Sequence, residues 1–136
     1  MLNFETFERS RRPNSYLMAP EGLCQNAKPD KTSPTYPTSP ERLLAAYRRL
    51  FGMLPRFETT ELSDDGRALE AVQRSRLFKF PDLISLRVFD AGEGLAAPAI
   101  YSRARYGRSD FGVNRARVIS WIGGVAVSLA ELNREA

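Results

Sequence analysis

Leu83-Ile84-Ser85-Leu86-Arg87-Val88-Phe89 alternates its side chains with a period of two, the signature of a strand with one face buried and one face open. Taking Ile84, Leu86 and Val88 inward sends Ser85 and Arg87 outward. The same reading extends on both sides, predicting strands over Arg56–Leu62, Arg67–Arg76 and Leu95–Arg105 besides Leu83–Phe89. Ser63-Asp64-Asp65-Gly66 and Asp90-Ala91-Gly92-Glu93-Gly94 carry the acids and glycines of tight connections, so an antiparallel meander is the simplest order. Phe78, Phe80 and Pro81 fill the remaining connection.

The faces of these strands differ sharply in chemistry. With Leu69, Ala71 and Ile100 inward, Glu70, Val72, Arg74 and Arg76 point out from one strand, and Tyr101, Arg103 and Arg105 from another. The stretch Ala99 to Arg117 holds five arginines and one acid. Like charges roughly 6 Å apart repel by about 3 kcal/mol near a protein surface, so such crowding calls for screening or an anionic partner.

Two helices flank the strands. Ser39-Pro40-Glu41 supplies an N-cap, a proline at the first helical position and an acid in the first turn. Leu43, Leu44, Tyr47, Leu50 and Phe51 follow on one face, and Gly52 and Pro55 end the helix. A second helix is predicted from near Asp110 or Gly112 to about Leu132, with Val118, Trp121, Ile122, Val125, Leu129 and Leu132 as its core stripe. Its back, Ile119, Gly123, Ala126, Val127 and Ala130, is apolar and small, which predicts burial on both sides and close approach of another backbone at Gly123 and Gly124.

Residues 1–38 carry Pro13, Pro20, Pro29, Pro34 and Pro37, a spacing that leaves no room for a lasting helix or central strand. They are expected as an extended arm, with 39–136 a single α+β domain. Phe4, Phe7, Tyr16, Leu17, Met18, Leu23 and Tyr36 are more apolar than a solvated linker needs, so the arm covers its own domain or reaches over a neighbouring protein.

A chain of 136 residues with 43% hydrophobic and 26% charged residues has the composition of one folded domain. The net charge of +4 is concentrated late, with six bases against three acids over residues 101–136. Cys24 is the single cysteine, so no internal disulfide forms. The chain's start lacks the basic and apolar pattern of a secretory signal, and its longest uncharged run, Val118–Ala130, would span about 20 Å as a helix, short of a bilayer core. A cytoplasmic location, free or peripheral to a membrane-bound assembly, is the resulting expectation.

Pro13-Asn14-Ser15-Tyr16-Leu17, Ala27-Lys28-Pro29-Asp30, the run VQRSRLFKFPD at 72–82 and the run YSRARYGRSDFGVNRAR at 101–117 resemble the uncharacterised family catalogued as domain of unknown function 1499. The resemblance covers most of the chain and implies no established activity. Longer members carry paired cysteines near the N-terminal motif, where this chain has Cys24 alone, and some carry a membrane-targeting leader that its sequence does not match.

Histidine is absent, which removes the readiest proton carrier near neutral pH and the commonest zinc ligand. Cys24 has no visible activating partner, Asp64-Asp65 reads as turn chemistry, and neither a metal nor a cofactor is expected. Arginine forks suit phosphate or carboxylate, making Arg74, Arg76, Tyr101, Arg103, Arg105 and Arg108 the anion-binding candidates. The plainer reading is an internal ion-pair lattice in which Asp82 and Asp110 neutralise neighbouring arginines, Arg115 among them. Too few aromatics accompany the bases for a nucleic-acid platform.

The expected fold is α+β: a four- or five-stranded antiparallel sheet with two helices packed on one face and an extended N-terminal arm. The expected function is a non-catalytic binding or accessory module. It docks on a protein partner through the arm and C-terminal helix, with Tyr16, Leu17, Trp121, Gly123 and Val127 as docking candidates. Its arginine face meets an anionic group. The alternative is an enzyme acting on an anionic small molecule or lipid, with Arg74, Arg103 and Arg105 as clamp and Asp110 or Tyr101 as acid or base.

Overall fold

The computed structural model describes residues 1–77, 79–107 and 109–135. In chain order the elements are β1 (Ser15–Ala19), β2 (Lys31–Thr32), α1 (Pro40–Phe51), β3 (Phe57–Leu62), β4 (Ala68–Arg74), β5 (Pro81–Asp90), β6 (Ala96–Ala104) and α2 (Val113–Glu135). The strands form one six-stranded sheet in the order β2-β1-β6-β5-β4-β3. Every pairing is antiparallel except that of β1 with β2, which is parallel.

The sheet is therefore mixed and larger than the four or five antiparallel strands expected. Both additional strands come from the proline-spaced N-terminal residues. β1 fits between Pro13 and Pro20 because five residues suffice once β6 supplies a template, Leu17 lying opposite Tyr101. β3 to β6 form the meander that alternation and turn residues predict.

Alternation also sorts the faces correctly. Met18, Leu69, Ala71, Ile84, Leu86, Val88 and Ile100 are buried beneath α1 and α2 in the principal core. Ser39 caps α1, its hydroxyl accepting from the Arg42 amide at 3.2 Å. The helix ends at Phe51, whose ring stacks on Phe57 at 4.4 Å and meets Trp121 edge-on at 4.8 Å. Val118, Trp121, Val125 and Leu129 are the buried stripe of α2. No helix among the described residues is long and apolar enough to cross a membrane.

The far face of the sheet carries the N-terminal residues rather than helices. Phe4 is buried there with Leu17, Ala19, Ala99 and Tyr101, and Leu2, Phe7 and Leu23 pack at the margin. The N-terminal segment thus turns back over its own sheet.

α2 departs from its expected double burial. Ile119, Gly123, Ala126, Val127 and Ala130 are exposed. Gly124 is approached by the methyls of Leu50, the nearer 3.1 Å from where a Cβ would stand, so a side chain fills that gap and not another backbone. Nothing lies within 4 Å of a Cβ at Gly123. Gly123→Ala is therefore expected to raise stability by about 0.5–1 kcal/mol, the ordinary gain for alanine over glycine in an exposed helix interior. A urea midpoint that falls instead would contradict the open space there.

Candidate functional site

The inward rows of the sheet stay apolar until their last positions, where they turn polar together. Gln73 continues the row of Leu69 and Ala71, Asp82 the row of Ile84 and Leu86, and Ser102 the row of Ile100. Asn114 and Arg117, three apart on the first turns of α2, come down on all three. The Arg117 guanidinium donates from Nε to Gln73 Oε1 at 2.8 Å and from Nη1 to Asn114 Oδ1 at 2.7 Å. It pairs with Asp82 Oδ2 at 2.9 Å, the two side chains only 12% and 16% exposed. Ser102 Oγ donates to Asn114 Oδ1 at 2.5 Å.

Asn114 carries the network onward. Its Nδ2 donates to Asp110 Oδ2 at 2.7 Å and to the Asn14 carbonyl at 3.2 Å, while Asn14 Nδ2 donates to the Gly107 carbonyl at 2.9 Å. Asp110 also accepts from the Gly112 amide at 2.9 Å and the Asn114 amide at 3.2 Å, capping the start of α2. Burial pushes the Asp82 carboxyl above its ordinary value, against the pull of Arg117 and with a small upward push from Asp110. An internal lattice does tie the sheet to α2, but its arginine is Arg117. Arg115, two residues earlier, is exposed on the opposite side of the helix.

The outward face has a second chain of contacts. Ser85 Oγ donates to Glu70 Oε1 at 2.6 Å and accepts from Arg103 Nη1 at 2.7 Å. The Arg103 guanidinium stands 4.8 Å from the Tyr101 ring centroid, and the Phe7 ring lies 4.9 Å from the same centroid. The Leu2 amide closes the line on Glu70 Oε2 at 3.3 Å. Burial lowers the Arg103 pKa from its ordinary value, opposed by the Glu70 carboxylate. Tyr101 and Arg103 share a face as alternation predicts, yet Phe7 packs on Tyr101, and Arg103 Nη1 is engaged within the chain by Ser85 Oγ and the Tyr101 carbonyl.

The remaining anion candidates lie at one end of the sheet, where β1, β3 and β5 begin and β4 and β6 finish. Arg74 stands opposite Pro81, and the Arg105 amide donates to the Pro81 carbonyl at 3.2 Å. Arg76 and Lys79 lie in the β4–β5 connection, and Arg12, Arg56 and Arg115 join from neighbouring segments. All are exposed, and among the described residues none pairs with a carboxylate. Arg108 lies outside the described residues. Arg9, Arg12, Ser15, Asp110, Gly112 and Arg115 line an open cleft of about 580 Å³ at this end. Arg56, Glu58, Arg74 and Lys79 line a second of about 390 Å³.

The opposite end, at the turns after β3 and β5, is acidic, with part of its charge paired to two arginines. Arg67 pairs with Glu41 at 2.9 Å and Asp90 at 3.2 Å, and Arg87 with Asp65 at 2.6 Å. The Ser63 hydroxyl, Arg87 and the Arg67 amide hold the Asp65 carboxyl down at about 2. Charge is thus polarised along the strands.

Of the docking candidates, Tyr16, Leu17 and Trp121 are buried within the chain, whereas Gly123 and Val127 stand on the exposed outer face of α2. Burial pushes the Cys24 thiol above its ordinary value, against a weaker pull from Arg9, and so away from the reactive thiolate. Gln73, Ser102, Asn114 and Arg117 in the network, and Arg12, Arg56 and Lys79 at the basic end, are the site residues that sequence reasoning passed over. For Asn114 and Arg117 their spacing was the available signal, since it sets two polar side chains on the helix face that also carries Val118 and Trp121.

A family model described as "Protein of unknown function (DUF1499)" matches residues 9–123, a span that includes all four of the motif stretches above. No curated protein matches the chain.

Proposed function

We propose that this chain, which belongs to the DUF1499 family of proteins of unknown function, is a non-catalytic binding module: its basic end seats an anionic group, and the outer face of α2 meets a protein partner. The observation that carries the reading is the uneven commitment of charge. Asp82 and Asp110 are consumed by Arg117 and Asn114, while Arg12, Arg74, Arg76, Arg105 and Arg115 remain exposed without carboxylate partners among the described residues. Arginine forks in that state favour phosphate or carboxylate. Support for the protein partner is the exposed small apolar face of Ile119, Gly123, Ala126 and Val127.

An enzyme would need Asp110 or Tyr101 as acid or base. Asp110 spends both oxygens on Gly112 and Asn114, and Tyr101 lies under Phe7, so the binding role makes fewer demands on these residues.

Titration of the intact protein with tripolyphosphate at low ionic strength tests the anion half. Saturable binding is expected, weakened about tenfold by Arg12→Gln or Arg115→Gln, the usual scale for one charge-assisted hydrogen bond. Absence of saturable binding at millimolar probe would end that half of the proposal. For the other half, Val127→Glu should abolish recovery of a stoichiometric protein partner from native cells while leaving the melting temperature unchanged, since surface substitutions seldom alter stability. Unaltered recovery would dismiss the α2 face.

A further inference from the structure

Two connections lie at the basic end, β4–β5, with residues 75–77 and 79–80 among those described, and β6–α2, with 105–107 and 109–112. The Arg105 amide on the Pro81 carbonyl ties the base of one to the base of the other, and the Asp110 amide on the Pro13 carbonyl ties the second to the segment before β1. Their tips are apolar. Leu77 is 80% exposed and Phe111 94%, and Phe80, Tyr106 and Val113 are each about half exposed or more. Large apolar side chains scattered singly need no explanation, but five gathered at one end form a patch that marks an interaction site.

The backbone adds a second cost at the same place. Lys79 and Phe111 adopt φ of 57° and 52°, the left-handed region that a bulky side chain rarely occupies. Phe111 thus combines an unfavourable backbone with an unfavourable exposure, and both burdens fall on the loop tips that point away from the core. Strain of this kind concentrates at binding and switch positions.

We infer that this end docks on an anionic bilayer surface, with Leu77 and Phe111 entering the headgroup–acyl boundary and the surrounding arginines lying at the level of the lipid phosphates. The inference rests on the reading that the basic end is where the anion binds, and it identifies that anion as a layer of lipid headgroups. Charge complementarity chooses this occupant. Arg12, Arg56, Arg74, Arg76, Lys79, Arg105 and Arg115 are all exposed at this end without carboxylate partners among the described residues, a concentration of one charge sign that a layer of anionic headgroups complements. The acids at the far end of the strands orient the molecule with its basic end down. Apolar tips flanked by arginine match the depth of an interface, where apolar groups sink about 5–10 Å and cations stay with the phosphates.

The test is co-sedimentation of the full chain with vesicles of phosphatidylcholine alone and of phosphatidylcholine containing phosphatidylglycerol, run beside the tripolyphosphate titration. Binding is expected to the anionic vesicles only. Arg74→Gln and Arg105→Gln should each weaken it roughly fivefold. Phe111→Asn, which suits the left-handed backbone better than phenylalanine, should combine with Leu77→Ser to weaken it tenfold or more without lowering the melting temperature. Anionic vesicle binding indifferent to those two changes would overturn insertion of the tips. Tripolyphosphate binding without vesicle binding would overturn the bilayer as occupant and leave the anion site standing; loss of both would remove the two together. A protein partner recovered by the wild type and lost with Phe111→Asn, while vesicles are ignored, would likewise overturn it.

Discussion

Arg117→Gln is expected to lower the unfolding free energy by about 3–5 kcal/mol, the usual result of removing one member of a buried ion pair and leaving the other charged. Glutamine can still reach part of the network, yet it cannot satisfy Gln73, Asn114 and Asp82 together as the guanidinium does. For a chain of this length the melting temperature should drop by on the order of 10–15 °C. The pH dependence separates this account from a general loosening. Burial already raises the Asp82 carboxyl above 3.8, and Arg117 opposes that rise. In the variant the opposition is gone, so folded Asp82 keeps its proton at pH values where the unfolded chain has lost it. Stability then falls as pH rises through the window above 3.8, and acidification from pH 7 towards 5 restores part of it. The gap between wild type and variant should narrow at pH 5, and Asp82→Asn in the variant background should recover stability at pH 7. Urea midpoints at the two pH values decide the matter, a constant or widening gap counting against a stranded carboxylate.

Phe4→Ala is expected to cost about 3–5 kcal/mol, the range for emptying a buried phenylalanine site. Phe4 is 2% exposed, touches the Phe7 ring edge-on at 5.9 Å and sits over Leu17 and Tyr101. The loss should appear in the global melt, because β1 beneath it is an interior strand of the sheet. If the melt holds and only proteolysis of the first eight residues accelerates, the N-terminal cover is a detachable flap and not part of the cooperative unit.

The strands from Phe57 to Ala104 were legible because each has enough residues for alternation to speak, and because the acid- and glycine-rich turns fix their order. The same parity placed Tyr101 and Arg103 on one face. β1 and β2 were not legible, since five residues between prolines and a two-residue strand acquire their conformation from β6 and from each other. For that reason the cover over Tyr101 was hidden too: the position of Phe4 and Phe7 is decided by tertiary packing that no local pattern records. At the site, Asp82 announced a need for a cation, but which arginine answers depends on helix phase. Starting α2 at Val113 turns Asn114, Arg117, Val118 and Trp121 toward the sheet and sends Arg115 to water.

The pairing of Leu17 with Tyr101 joins residues more than eighty positions apart. During synthesis β1 therefore waits, with its apolar side chains bare, until the β5–β6 hairpin has left the ribosome. Non-local pairings of this kind slow folding and lengthen exposure to aggregation. Closure of the sheet is a late event in the life of each molecule, and substitutions along β6 should reduce yield in the cell more than their effect on the finished protein would suggest.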